Sequence, residues 1–166
     1  MASGIQVHTD VTTIYNEMKV VKNNDDSNQR LRLVTFTIQG DVINVDLKVT
    51  QEEVTKKGQD AYQIFKEQLK DEECFYFLYD CHYKDHEGIG KEVLIFGSWI
   101  PDTCAVKKKM LYASSKCSIK KIMHGIKHHM ELSDRTDILD HKSFAGQVGK
   151  GLQDIEGTCV CTKMKA

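Results

Sequence analysis

The chain has 166 residues, a single proline and 40% hydrophobic residues, which suits one domain with a substantial core and excludes a disordered or linker-rich layout. Its 23 basic and 24 acidic residues nearly cancel, so it lacks the overall basic charge of a general nucleic-acid binder, and any charged binding surface has to come from local clustering. No apolar run reaches transmembrane length and Met1-Ala2-Ser3-Gly4 opens no signal-peptide pattern, which predicts a cytoplasmic protein.

Val11, Ile14, Tyr15 and Met18 recur at helical spacing, predicting a short amphipathic helix with Thr9 or Asp10 as its N-cap. The run Asn23-Asn24-Asp25-Asp26-Ser27-Asn28 holds no apolar residue and reads as an exposed loop. Val34, Phe36 and Ile38, then Ile43, Val45 and Leu47 across the Gly40-Asp41 turn, alternate with mostly polar residues and predict an antiparallel hairpin with one buried face. Ala61, Ile64, Phe65 and Leu69 predict a second helix. The mostly apolar segments Phe75 to Tyr83 and Val93 to Ile100 read as central strands covered on both faces.

A lysine-rich helix follows. Lys109, Lys116 and Lys120 are spaced i, i+7 and i+11 and project within about 40° of one another, a basic stripe; Leu111, Ser115 and Ile122 are expected on the packing side. Ile126 to Leu132 predicts a short strand, Ile138 to Val148 a last helix and Leu152 to Cys161 a closing strand. The order predicts an α/β fold of the α+β type, a central mixed β-sheet sandwiched between α-helices.

The six cysteines are expected as reduced thiols, because a chain this rich in apolar residues needs no disulfide framework. Cys159-x-Cys161 lacks a neighbouring histidine, and His82/His86 and His124/His128, though spaced i, i+4, lack the glutamate of a metalloprotease motif. No nucleophile elbow or phosphate loop is present, and no cofactor is expected. A thiol- or metal-dependent enzyme remains an alternative through these cysteines and histidines alone.

Three strings point to a family. The run from Lys107-Lys108-Lys109-Met110-Leu111-Tyr112-Ala113-Ser114-Ser115-Lys116 through Ile119-Lys120-Lys121 to Gly125-Ile126-Lys127 closely resembles the signature helix of the actin-depolymerising factor and cofilin family. Met1-Ala2-Ser3-Gly4-Ile5 resembles that family's opening and Met18-Lys19-Val20 the end of the helix that follows, and Cys74-Phe75-Tyr76-Phe77-Leu78-Tyr79-Asp80 resembles its central strand. The matches fall in order across nearly the whole chain, so the resemblance implies a single ADF-homology domain over residues 1–166, acting as a monomer and not an enzyme. It implies binding to actin monomers and filaments, preferring ADP-bound subunits, with depolymerisation and severing of filaments. A monomer sequesterer with weak severing is the narrower alternative.

Residue by residue, the resemblance implies that Lys107 and Lys109 meet acidic actin surface with Met110 as the apolar contact beside them. It also assigns to the binding helix Ser114, Ser115, Lys116, Ile119, Lys120 and Lys121, and to the N-terminal contact Gly4 and Ser3. Ser3 matches the family's regulatory serine: a phosphate there adds about −1.5 to −2 charge and would repel an acidic partner. Phosphoinositide headgroups are implied as competing ligands of the same cationic helix. Cys117 stands where relatives usually carry an aspartate, which leaves the helix more basic. The filament-side match is thinner: Lys91 and Lys150 fit basic positions, but Gly90, Gly146 and Gln147 replace charged residues, so side-binding and severing are expected to be weaker than monomer binding. His128 matches a pH-responsive position, but Val93 stands where its partner carboxylate would be.

Overall fold

The turn at Gly40-Asp41 closes the hairpin on which the sheet is built, with Gly40 at φ 69° supplying the left-handed backbone that such a turn needs. It joins β2 (Leu31–Gln39) to β3 (Val42–Thr50); on its other edge β2 pairs antiparallel with β4 (Phe75–Lys84), which pairs along its whole length with β5 (Gly90–Trp99). The computed structural model describes residues 4–19, 30–58, 60–126, 128–138, 140–149, 152–156 and 158–160. Ser3, the Asn23–Asn28 loop, Lys127, Lys150 and Cys161 lie outside the described residues.

The short β1 (Gln6–Val7) lies parallel to β3, and β6 (His128–Leu132) parallel to β5, giving the order β1-β3-β2-β4-β5-β6 in a mixed sheet. Side chains along β4 alternate between two cores, as the two-residue period of a strand demands. Phe75, Phe77, Tyr79 and Cys81 face one core, built with α2 (Gln51–Lys57), α3 (Ala61–Glu67) and α5 (His141–Val148). Tyr76 and Leu78 face the other, built with α1 (Thr9–Lys19) and α4 (Val106–Lys120). Gly97 sits where a Cβ would come within 2.4 Å of both the Met130 carbonyl and the Phe77 ring, so a glycine is required for β6 and Phe77 to close in on β5.

Several expectations are corrected. The first helix is capped by neither Thr9 nor Asp10: the Asp10 N–H donates to His8 Nδ1 at 3.0 Å, because the helix starts directly after β1. The β2–β3 hairpin is not buried on one face only, since β2 is interior and Leu33 and Val34 belong to opposite cores. Helix α2 has no counterpart in the apolar spacing because Val54 is its one buried residue; its ends, however, are written in the Thr50 side chain accepting the Glu53 N–H and in Gly58 at φ 67°. The last helix starts at His141 with Asp140 as its cap, Ile138 belonging to a preceding 3-10 turn, and it includes Gly146 while Gly149 lies just past its end. The closing segment is a small hairpin of two strands, β7 (Asp154–Ile155) and β8 (Thr158–Cys159), with Glu156 at φ 52° in the turn.

Candidate functional site

Helix α4 reaches its place through a network of tyrosines. Tyr112 is buried against the sheet; its hydroxyl accepts the Ile38 N–H at 2.9 Å, and the Tyr76 hydroxyl donates to the Tyr112 carbonyl, with the two rings 5.3 Å apart. The packing line is Tyr112, Ser115 and Ile119, spaced i, i+3 and i+7, and not the Leu111, Ser115 and Ile122 expected from the sequence; Leu111 and Ile122 are only half-buried flanks. Ser115 and Ile119 are both 0% exposed, so neither offers surface to a partner, which removes them from the contact set. A serine at 115 lets the helix lie close to the sheet, and burial of Ile119 contributes about 2 kcal/mol to holding it there.

The outward line of α4 and the residue after it is Lys107, Met110, Ser114, Cys117 and Lys121, all exposed at spacings of three and four. Val106 and Met110 are each 66% exposed, the two most open of three exposed large apolar side chains among the described residues. Lys107, Lys120 and Lys121 have no ion pair among the described residues. The predicted stripe of Lys109, Lys116 and Lys120 is a flank instead: Lys109 donates to the Asp102 carbonyl at 3.3 Å, and Lys116 is bound to Glu131 of β6. That hydrogen bond holds the Glu131 carboxyl below its ordinary range. Lys108 turns inward to the Glu72 carbonyl. The start of α4 carries neither an acidic residue in its first turn nor a side-chain cap, so its dipole adds positive potential beside Lys107. Strand β1 packs against α4, which brings the chain just after Gly4 to the same region.

The other sequence-predicted region lies at the far end of the β4–β5 hairpin. Asp85 accepts the N–H groups of Glu87 and Ile89 and pairs with Lys91 at 3.0 Å, so the turn is internally braced and Lys91 is already partnered. These hydrogen bonds, that from Lys91 foremost, hold the Asp85 carboxyl below its ordinary range. Ile89 is 51% exposed at the tip. Beside it an open polar cleft of about 740 Å³ is lined by Arg32, Gln51, His82, Lys91, Glu92 and Glu156, among others. Arg32 pairs with Glu156, whose carboxylate also accepts from the Tyr79 hydroxyl and the His82 N–H, and Arg30 pairs with both Asp80 and Glu92. Sequence reasoning missed this network because Arg32 and Glu156 are 124 residues apart.

His128 lies in β6 opposite Ile95 and makes no ion pair among the described residues. His82 and His86 stand on a strand and the turn after it, so they do not share a helix face, and no group of three potential metal ligands occurs among the described residues. No described helix is long and apolar enough to cross a membrane.

A family model described as cofilin/tropomyosin-type actin-binding protein matches residues 4–148. Among solved structures, the actin depolymerization factor 2 of Plasmodium berghei is 28% identical over 82% of this chain and 92% of its own, with a TM-score of 0.68. The ADF-like UNC-60A protein of Caenorhabditis elegans is 25% identical over 90% of this chain and 97% of its own, again at 0.68. The cofilin of Streptomyces griseoflavus, 23% identical over 89% of this chain and 99% of its own, superposes at 0.71 and supports the fold. With most of its length inside the family match and a mixed sheet between helical layers, the chain belongs to the cofilin/tropomyosin-type family of actin-binding proteins, which are not enzymes.

Proposed function

We propose that this protein binds actin monomers and filaments and promotes filament depolymerisation and severing, as a single ADF-homology domain over residues 1–166 that acts as a monomer in the cytoplasm. The observation that carries this reading is the outer face of α4: Val106 and Met110 stand exposed close to Lys107, with Lys121 further along the same line and Lys120 on its flank. Unpaired cations orient an acidic partner and raise the rate of encounter, and a methionine that is desolvated on contact supplies affinity. Ser114 belongs to this face, Lys109 borders it, Lys116 supports it through Glu131, and Gly4 and Ser3 are the proposed N-terminal contact. Phosphorylation of Ser3 would then oppose binding by repulsion, and phosphoinositide headgroups would compete for the same lysines.

Lys91 and Lys150 are the proposed filament-side cations. The pairing of Lys91 with Asp85 favours a second reading, a monomer sequesterer with weak severing, because a neutralised lysine gives a filament little to hold. Co-sedimentation with ADP-actin filaments over a concentration series separates the two. Protein in the pellet together with extra actin in the supernatant is the expected result. Protein and extra actin both remaining in the supernatant would establish the sequesterer, and no change in either fraction would overturn the α4 site.

A further inference from the structure

Two buried thiols meet beneath the start of α4. Cys74 leads into β4 and Cys104 directly precedes Ala105, the residue at the N-cap position of α4; their Sγ atoms are 3.3 Å apart and both residues are free cysteines. The Cys74 S–H donates to Cys104 Sγ. The Cys104 S–H donates in turn to the Glu72 carbonyl at 3.4 Å, where the Lys108 ammonium also donates at 3.4 Å. Thr103 Oγ1 donates to the neighbouring carbonyl of Asp71. Two loops are thus laced together under the turn that presents Lys107, Lys109 and Met110.

The hydrogen bond makes the two sulfurs chemically unequal. Burial, with the bond it donates to Cys104, pushes the Cys74 thiol up to about 12, so it keeps its proton. Cys104 receives that bond, and its own S–H points to the Glu72 carbonyl beside the Lys108 ammonium. The less buried of the two is also Cys104, at 5% against 2% exposure. Cys117, exposed on α4, has no thiol neighbour among the described residues.

We propose that Cys74 and Cys104 form a disulfide when a small peroxide reaches them, and that this bond ties the entry of α4 to the entry of β4. Cys104, the less buried of the two, attacks first: it gives up its proton, its sulfur takes one peroxide oxygen, the O–O bond breaks, and the hydroxide that leaves is neutralised by that proton. Cys74 then attacks the sulfenic sulfur, the S–O bond breaks, and the hydroxyl departs as water with the Cys74 proton. Two thiols and one hydrogen peroxide become one disulfide and two waters, the thiols losing the two electrons that the peroxide gains. The sulfurs must close from 3.3 Å to about 2.05 Å, a movement the Pro101–Ala105 loop can supply because it belongs to neither helix nor strand. That pull displaces the first turn of α4, so its effect on binding rests on the proposed actin contact, whereas formation of the bond does not.

The test treats the reduced full-length protein with equimolar hydrogen peroxide, blocks remaining thiols and maps peptides by mass spectrometry. A Cys74–Cys104 linked peptide lighter by about 2 Da, lost on adding dithiothreitol, retained in Cys117→Ser and absent from Cys104→Ser, is the expected result. Oxygen added to either buried sulfur without a link, or oxidation confined to Cys117, would overturn the proposal. Circular dichroism of Cys104→Ser and Cys104→Ala guards against a variant that merely unfolds. The same oxidised sample should bind actin several-fold more weakly than the reduced one and recover on reduction. A link that forms and leaves actin binding unchanged would keep the disulfide and reject its coupling to the α4 contact.

Discussion

The outer face of α4 and the far end of the β4–β5 hairpin are both rich in cations, yet they are built for opposite ends. At the hairpin end each basic side chain meets a carboxylate: Arg30 with Asp80 and Glu92, Arg32 with Glu156, Lys84 with Asp154 and Lys91 with Asp85. On α4, Lys107 and Lys121 have no ion pair among the described residues, and Val106 and Met110 lie exposed close to Lys107. A cation already matched has its field cancelled and offers little to an incoming surface, while an unmatched one beside an apolar side chain offers both steering and area to bury. The number of lysines in a segment therefore says less about binding than whether the fold has supplied their counterions.

The largest effect expected from breaking this contrast is on stability at the paired end. Glu156→Ala leaves the Arg32 guanidinium buried without its carboxylate and should cost about 3 kcal/mol or more in a urea titration, while the folded protein still binds actin through α4. The double substitution Lys107→Ala/Lys109→Ala should do the reverse: unfolding unchanged, actin binding at least about tenfold weaker and less sensitive to salt. Binding retained in that double variant would remove the site from α4. Met110→Ala should weaken binding by roughly 1 kcal/mol without altering the salt dependence, because it removes area and not charge.

Smaller effects sharpen the comparison. The hydrogen bond from Arg30 holds Glu92 below its ordinary value of 4.5, against the opposing effect of burial. A carboxyl that titrates lower in the folded than in the unfolded chain adds stability that is complete above the unfolded value and disappears as the pH falls through the folded one. Urea midpoints measured from neutral pH down to about pH 3 should therefore fall below about pH 4.5, and less so in Arg30→Leu; the half-exposed Glu92 keeps this contribution small. Lys91→Ala, least of all, should leave filament pelleting almost unchanged, and a marked loss would show that this lysine exchanges Asp85 for a filament partner.

Legibility followed the range of the interactions. The mostly apolar run of Phe75 to Tyr83 and the helical spacing of Val11, Ile14, Tyr15 and Met18 were readable because each pattern is local and its burial is large. The caps of α2 were present as Thr50, Glu53 and Gly58 but passed unread, since that helix buries only Val54. On α4 the helix was readable and its rotation was not: helical geometry places Lys109, Lys116 and Lys120 on one side, but Tyr112, held by Ile38 and Tyr76, sets which side faces the sheet. Ser115 and Ile119 moved into the core as a consequence.

By itself the sequence determined the two-sided sheet, the lysine-rich helix and the family to which the motif belongs, because period, composition and a contiguous motif are properties of neighbouring residues. Only the tertiary structure decided which lysines are free, that Cys74 and Cys104 touch, and that Arg32 finds its counterion in Glu156. Each of those depends on groups tens of residues apart being brought within a few ångströms, and charge pairing and thiol contact act only over that distance.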